Sequence, residues 1–158
     1  MNENLFKEIC GNYATGVTVI TSLNKNTNYG FTANSFTSVS ISPFLILFCL
    51  NKKANSNKAF KIGNNFIVNI LSSKQSRICS QFANNNLSPL ERFNKIKTTT
   101  SINQIKIISD SIGWLECRVV NIVDGGDHFI YIGEVDNGNI NDNKSPLIYH
   151  DSKIKKII

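Results

Sequence analysis

The side chains best suited to chemistry lie in two polar clusters, each beside an apolar stretch. The first cluster is the run 32–40, whose hydroxyl and amide side chains are Thr32, Asn34, Ser35, Thr37, Ser38 and Ser40. Such short groups let a backbone approach a ligand closely and donate hydrogen bonds to phosphate or carbonyl oxygens. In an extended chain, alternation predicts Asn34, Ser38 and Ser40 on one face. An exposed edge strand, rich in Ser and Thr because of β propensity, explains the run equally well.

The second cluster is Gly125-Gly126-Asp127-His128, which lies between two apolar runs. Two glycines followed by an aspartate are typical of a tight turn, so a purely structural role explains them. A histidine at the mouth of a barrel also offers a hydrogen bond or a stacking surface to a ligand. Both interpretations stay open at the level of the residues.

Several common catalytic arrangements are missing from this chain. It contains no glycine-rich phosphate loop and no G-x-S-x-G nucleophile elbow. Its two histidines, His128 and His150, have no companion ligands at metal-binding spacing. Its four cysteines are widely spaced, which predicts reduced thiols and neither a zinc site nor a redox dithiol. We therefore expect no metal and no side chain that acts as a nucleophile or general base.

Composition and charge narrow the class of protein further. The 158 residues predict a single domain over 1–158, and 41% hydrophobic residues are enough for a core. The net charge of +6 comes from scattered lysines, so we expect no nucleic-acid binding. The longest apolar run, 44–50, is far shorter than the roughly 20 residues of a membrane span, so no membrane partner is expected. The start of the chain shows no secretory signal, and we expect a cytoplasmic protein.

The elements that must position these clusters are mostly short strands. Apolar and β-branched runs predict strands near 17–21, 29–33, 34–41, 45–50, 66–71, 105–109, 114–123 and 129–135, and a short extended piece at 146–149. Helical spacing predicts short helices before Gly16, near 59–62 and over 74–83. Residues 84–104 carry little pattern and are predicted to be a long loop. Hairpin-length links without βαβ alternation predict a mainly β fold, an antiparallel β-barrel with short flanking helices.

Several segments together resemble one known family. They are 14–21, 30–40, 66–71, 81–83, 114–117 and 126–135, and their order and spacing cover nearly the whole chain. In this respect the sequence is similar to the flavin reductase family, which has the FMN-binding split-barrel fold. The similarity is greatest to the small reductase components of two-component flavin-dependent monooxygenases. The sequence departs from the family after Pro43 and again after Tyr149, so the resemblance does not decide between NADH and NADPH.

The resemblance implies a homodimer that binds flavin in a groove between its subunits. The implied flavin contacts are Thr32, Ala33, Asn34 and Ser35 at the ring and ribityl chain, Ser38 and Ser40 near the phosphate, Cys49, Leu50 and Asn51 beside the ring system, Asn57 and Lys58 on the phosphate side, and Phe82 and Ala83 over the distal part. His128 is implied to contact the nicotinamide dinucleotide, with Tyr149 as its neighbour.

The implied activity is that of an NAD(P)H:flavin oxidoreductase, an enzyme that transfers hydride from the nicotinamide C4 to N5 of FMN or FAD. NADH or NADPH would be the co-substrate, and a partner monooxygenase would receive the reduced flavin. The alternative is a split-barrel protein that binds flavin without turnover, as a store or a sensor. Flavin-dependent oxidation of NAD(P)H distinguishes the two.

Overall fold

The computed structural model describes residues 1–156, and most of its regular structure is β. Strands make up 49% of the chain and helices 17%. The helices are α1 (Glu3–Gly11), α2 (Ser76–Ala83) and α3 (Pro89–Arg92), with a 3₁₀ turn at Asn55–Ala59. The strands are β1 (Thr15–Gly16), β2 (Thr18–Asn24), β3 (Thr27–Ala33), β4 (Thr37–Ile41), β5 (Phe44–Asn51), β6 (Asn65–Ile70), β7 (Thr98–Thr100), β8 (Lys106–Ile108), β9 (Gly113–Gly125), β10 (His128–Ile140), β11 (Leu147–His150) and β12 (Lys153–Lys156).

Seven of the strands form one antiparallel sheet in the order β3-β2-β6-β9-β10-β5-β4. The sheet curls until β3, at one edge, faces β5 near the other, where the rings of Phe31 and Phe48 lie 5.7 Å apart. The result is a barrel that stays open along one side. A mainly β, antiparallel barrel with short flanking helices is thereby confirmed.

Aromatic side chains fill the inside of this barrel. Phe48 and Phe66 are fully buried, and Phe48 stacks on Tyr131 with ring centroids 5.0 Å apart. Phe60 closes one end of the cluster and is in contact with Phe31 edge to face. Because close-packed rings resist displacement, this core fixes how β3 and β5 sit relative to each other.

Residues 17–21, which lead into strand β2 and form its first part, are buried on both faces, which explains their unbroken β-branched composition. Ile20 points into the aromatic core, whereas Val17 and Val19 belong to a second cluster outside the barrel. In that second cluster Phe82 of α2 and Leu147 of β11 cover the outer face of the sheet. The second cluster therefore holds α2 beside β3.

Two small sheets complete the described chain. Strands β1, β11 and β12 form one of them, and β7 and β8 form the other. A buried carboxylate connects the β7–β8 hairpin to the barrel, because Glu116 accepts hydrogen bonds from Ser101 and Asn103. None of the helices in the described part of the chain is long and apolar enough to cross a membrane.

Three details of the predicted elements were wrong. The first helix ends at Gly11, and Gly16 lies in β1 instead of ending that helix. The helix expected near 59–62 is a 3₁₀ turn at Asn55–Ala59 that ends before Gly63. Gly63 does adopt a left-handed backbone (φ +87°), but it lies in a turn and does not cap a helix. Its backbone N–H donates to the carbonyl of Val119. Residues 84–104 contain α3 and β7, so they are not one structureless loop.

Candidate functional site

A cavity of about 620 Å³ opens between β3 and the end of β5. One wall is formed by residues 30–35 of β3 and its continuation, and the opposite wall by residues 49–51 and 53–56. The end of α2, the segment 85–89 and Arg92 cover it from one side, and His128 stands at the end of β10. Its volume lies within the range of about 300–1,000 Å³ that is usual for ligand and cofactor sites.

The wall formed by β3 is fixed by hydrogen bonds from hydroxyl groups. Thr18 Oγ1 donates to the carbonyl of Ala33 at 2.8 Å, and Thr32 Oγ1 donates to the carbonyl of Cys79 on α2 at 2.6 Å. Strand β3 is an edge of the large sheet, so its outer backbone edge has no neighbouring strand in that sheet. These bonds hold that edge in place beside the cavity.

A reciprocal pair of hydrogen bonds joins the two walls. The backbone N–H of Cys49 donates to Ser35 Oγ at 2.9 Å, and Ser35 Oγ donates to the carbonyl of Cys49 at 3.2 Å. At Asn51, the last residue of β5, the backbone carbonyl accepts a hydrogen bond from Asn57 Nδ2 at 2.8 Å. Tyr131 in turn donates to Asn57 Oδ1 at 2.8 Å. Both ends of the Cys49–Asn51 wall are therefore anchored by side chains.

The turn between β9 and β10 carries His128 to the cavity. Gly126 has the positive φ (+80°) that a tight turn requires, and His128 pairs with Asn51 in the register of β10 and β5. Its Nδ1 lies 2.7 Å from Asp127 Oδ1, and this contact holds the pKa of the Asp127 carboxyl below its usual value. The cluster 125–128 forms a turn, and its last residue, His128, lines the cavity, so the two interpretations of the sequence are compatible.

Lys52 ties the same turn to the end of β5. Its backbone N–H donates to the carbonyl of Asp127 at 2.9 Å, and its Nζ forms an ion pair with Asp124 Oδ2 at 2.6 Å. The ammonium also lies 5.2 Å from the centre of the Phe129 ring, within cation–π distance. These contacts keep the turn, and His128 with it, beside the wall formed by β5.

Helix α3 closes the cavity on the side of α2. Its first turn has a capping box between Ser88 and Glu91, with Pro89 at the start of the helix. Arg92, at the end of α3, donates from Nη1 to the carbonyl of Gly30 at 2.7 Å and from Nη2 to the carbonyl of Asn84 at 3.1 Å. Arg92 thus connects α3 with β3 and with the end of α2.

The cavity lining described here carries positive charge and no carboxylate. The basic side chains that line the cavity are Lys53, Arg92 and His128, and no aspartate or glutamate lines it. Burial lowers the pKa of the Arg92 guanidinium, yet arginine stays charged at every pH that a folded protein tolerates. The cavity therefore favours an anionic ligand.

The structure brings ten of the fifteen predicted site residues together around the cavity. They are Thr32, Ala33, Asn34, Ser35, Cys49, Leu50, Asn51, Phe82, Ala83 and His128. They come from β3, β5, α2 and β10, which are far apart in the sequence. Their proximity follows from the curl of the sheet and from the way α2 packs on β2.

The structure places the other five predicted residues outside this cavity. Ser38 and Ser40 belong to β4, an edge strand with a bulge between them that interrupts the alternation assumed for 34–40. The amide of Asn57 is engaged with the backbone of β5, and Lys58 is exposed. Tyr149 lies in β11 and packs against the second core cluster. Within the run 32–40, the first half lines the cavity and the second half is an edge strand.

Ten lining residues were not among those predicted. They are Gly30, Phe31, Lys53, Ala54, Asn55, Ser56, Asn85, Leu87, Pro89 and Arg92. Ser88 followed by Pro89 and Glu91 is a capping signature that would have located α3, and with it Arg92. The sequence carries no comparable signal for the contribution of 53–56.

The residues present fit the flavin that the sequence resemblance implies. The cavity has the volume of a cofactor site, and Phe31, Leu50 and Phe82 offer it apolar surface. The backbone edge of β3 supplies neutral polar groups, and an arginine supplies a positive charge. Nowhere in residues 1–156 do three His, Cys, Asp or Glu side chains gather as a metal site.

Comparisons with known proteins point in the same direction. The family model described as "Flavin reductase like domain" matches residues 10–157. The reductase subunit HsaB of a flavin-dependent monooxygenase from Mycobacterium tuberculosis is 34% identical over 131 residues, which are 83% of this chain and 68% of that protein. The curated relatives also include an NADH-dependent FAD reductase from Streptomyces globisporus, 34% identical over 131 residues, 82% of this chain and 71% of that protein.

Solved structures agree over almost the full length. The NADH:FAD oxidoreductase SgcE6 of Streptomyces globisporus, solved in complex with NAD and FAD fragments, superposes with a TM-score of 0.90. It is 28% identical, and the match covers 99% of this chain and 93% of that one. BorF, the flavin reductase component of a bacterial two-component tryptophan halogenase, superposes with a TM-score of 0.91 at 28% identity, covering 99% of this chain and 98% of that one.

Proposed function

This chain belongs to the flavin reductase-like family, and on that premise we propose that it is an NAD(P)H:flavin oxidoreductase. The observation that carries the proposal is the cavity between β3 and β5, which has the volume of a cofactor site and a lining free of carboxylates. FMN or FAD would be the flavin, and NADH or NADPH the reductant. Bound together, flavin and nicotinamide would supply the chemistry themselves, which is the transfer of hydride from the nicotinamide C4 to the flavin N5.

The role of the protein is then to hold and orient its two ligands. The outer edge of β3 and the end of β5 would flank the flavin, with Thr32, Ala33, Asn34 and Ser35 on one side and Cys49, Leu50 and Asn51 on the other. Phe82 and Ala83 of α2 would cover it and exclude water. Since Ser35 and Cys49 are joined by reciprocal hydrogen bonds, the two walls keep their spacing without a ligand. No side chain needs to act as a nucleophile or a general base.

His128 is the proposed contact of the nicotinamide dinucleotide. It stands at the end of β10 beside the cavity, and Asp127 and Lys52 hold its turn. A half-buried imidazole there can stack on a ligand ring or donate a hydrogen bond to it.

We propose a homodimer as the working assembly. Apolar side chains that one chain leaves exposed support it: Phe6 (57%) and Ile9 (56%) on α1, and Ile41 (83%) and Phe44 (62%) at the β4–β5 hairpin. Large apolar patches on a protein surface usually mark an interface. In such an assembly Ser38, Ser40, Asn57 and Lys58, which lie outside the cavity of one chain, are proposed to extend the flavin groove. Tyr149, which also lies outside it, is proposed as the neighbour of His128 at the nicotinamide dinucleotide.

A separate monooxygenase is the proposed recipient of the reduced flavin. Relatives of this chain bear the names of reductase subunits or components of flavin-dependent monooxygenases, and the cavity is open at one side, so a flavin can leave it. A cytoplasmic location is proposed as well. The four cysteines of the chain are free, as is usual for proteins of a reducing compartment.

The test is the consumption of NADH and NADPH by the purified protein, with and without added FMN or FAD. Oxidation that rises and saturates with added flavin is the expected result, and it also identifies the preferred cofactors. A protein that binds flavin but oxidises neither nucleotide would replace this proposal with a flavin store or sensor. A protein that binds no flavin would overturn the function and leave the fold unaffected.

A further inference from the structure

Arg92 is a charged residue buried in the cavity wall. Only 9% of its surface is exposed. Its guanidinium donates to the carbonyl of Gly30 at 2.7 Å, to the carbonyl of Asn84 at 3.1 Å and to Asn85 Oδ1 at 3.4 Å. Its Nε–H is buried and has no hydrogen-bond partner among residues 1–156.

Every partner of this guanidinium is a neutral oxygen. Among the residues that the structure describes, no carboxylate forms an ion pair with Arg92. Glu91, its neighbour in sequence, is exposed and bonded to Ser88 in the capping box. A buried charge without a counter-charge is costly, and the cavity beside it contains no aspartate or glutamate to provide one.

We propose that Arg92 recognises the phosphate group of the flavin, which supplies the missing counter-charge. Arg92 takes this role in place of Ser38, Ser40, Asn57 and Lys58, which the resemblance implies near the phosphate and which lie outside the cavity of one chain. The inference rests on the proposed function, because it takes a flavin nucleotide to be the ligand of the cavity. A guanidinium suits this role since its planar set of N–H donors matches phosphate oxygens. Arg92 is therefore a specificity residue, one that separates phosphorylated flavins from the unphosphorylated vitamin.

The permanence of the charge favours the phosphate over the flavin ring. The guanidinium is charged in every state of the reaction, so its counter-charge should be present in every state as well. The ring of an oxidised flavin is neutral, whereas the phosphate is an anion whether the ring is oxidised or reduced. The alternative is that Arg92 only anchors α3 through its hydrogen bonds. That role would require no charge, and the experiment must exclude it.

The experiment compares the equilibrium binding of FMN with that of riboflavin, which has the same ring and ribityl chain but no phosphate. Quenching of flavin fluorescence gives both Kd values without any turnover. The wild-type protein should bind FMN at least about tenfold more tightly than riboflavin, the ratio expected of one charged hydrogen-bonding contact.

Two substitutions of Arg92 separate charge from anchoring. R92M should reduce the ratio of the two Kd values about tenfold, mainly by weakening the binding of FMN. R92K retains the charge but loses the planar set of donors, so its ratio should lie between those of R92M and the wild type. R118M is the matched control, because Arg118 is exposed, pairs with Glu134 and lies outside the cavity. It should leave the ratio unchanged.

Three outcomes would overturn the inference. If the wild-type protein binds FMN and riboflavin equally well, the inference is overturned before any variant is made. If R92M weakens both flavins in parallel, Arg92 is an anchor or a ring contact and not a phosphate site. If R92M does not fold, R92Q takes its place, and an unchanged ratio there has the same meaning. Failure of the wild type to bind either flavin would instead overturn the proposed function itself.

Discussion

Among single residues, His128 offers the most direct test of how the cavity is used. Replacing it with Ala removes a half-buried imidazole without disturbing the turn, whose backbone conformation depends on Gly126 and on Lys52. The KM for NADH or NADPH should rise about three- to tenfold, which corresponds to the loss of one hydrogen bond or stacking contact. The Kd for flavin, measured by fluorescence quenching, should change much less.

The reverse pattern would place His128 against the flavin instead of the nicotinamide. His150 is a suitable control, since it is the other histidine of the chain and lies in β11, outside the cavity. We expect H150A to leave both constants unchanged.

At the scale of elements, the close packing of α2 on β3 can be tested at Gly30. A Cβ built on Gly30 would lie 2.5 Å from Cε1 of Phe82, whose side chain is 1% exposed and packs edge to face on Phe93. Because the ring must then shift toward the cavity or push α2 away from β3, G30A should reduce the free energy of unfolding by about 1–3 kcal/mol. It should also weaken flavin binding, as α2 covers the cavity.

Urea unfolding measures the first effect, and G16A is the matched control. No atom lies within 4 Å of a Cβ built on Gly16, so that variant should change stability by no more than about 0.5 kcal/mol. Equal stability of the two variants would show that α2 can shift away from β3 at little cost.

Asp124, beside the turn between β9 and β10, should make the stability of the fold depend on pH. The hydrogen bond from Lys52 lowers the pKa of Asp124, and the Gly126 N–H lowers it further. A carboxylate with a depressed pKa stabilises the fold above its unfolded pKa, about 3.9, and loses that contribution as the pH falls through its folded pKa. Wild type should therefore have a higher Tm than D124N between pH 5 and pH 8, and the difference should vanish well below pH 4.

The control for this experiment is D142N. Asp142 is exposed and takes part in no ion pair described for residues 1–156, so its variant should match wild type throughout. A difference between wild type and D124N that does not diminish as the pH falls below 4 would mean that the aspartate acts through its shape and not through its charge.

The elements also show which features the sequence could predict. The strands on both sides of the cavity were predicted because they are apolar or β-branched runs with polar turns between them. Helix α3 was missed within a run of Asn, Ser and Thr, although Ser88 and Glu91 form its capping box. The burial of Arg92 had no local signal, since it depends on the carbonyl of Gly30 in a distant strand. The same is true of Asn57, whose amide serves β5 instead of facing the cavity.

For the molecule as a whole, the exposed apolar face of α1 bears on the oligomeric state. Leu5, Phe6 and Ile9 recur at helical spacing and are each about half exposed or more in one chain. We expect light scattering after size-exclusion chromatography to give twice the mass of one chain. F6E should shift the protein toward the monomer, because a carboxylate in an apolar interface is costly to desolvate.

I102E is the control for this prediction. Ile102 is 85% exposed but lies in the β7–β8 hairpin, away from α1 in the fold. The I102E variant should therefore remain dimeric. A wild-type protein that elutes as a monomer at every concentration would remove the homodimer from the proposal.

The order of the strands has a consequence for how this protein folds. Strand β5 ends at Asn51 and yet pairs with β10, which begins at His128, while β2 pairs with β6 and not only with its neighbour β3. Chains dominated by such distant pairings have a high contact order, and they fold in milliseconds to seconds instead of microseconds. The hairpins β2–β3 and β4–β5 can form early during synthesis, but the barrel cannot close before β10 has been made. A newly made chain therefore presents both walls of the cavity before it can hold a ligand between them.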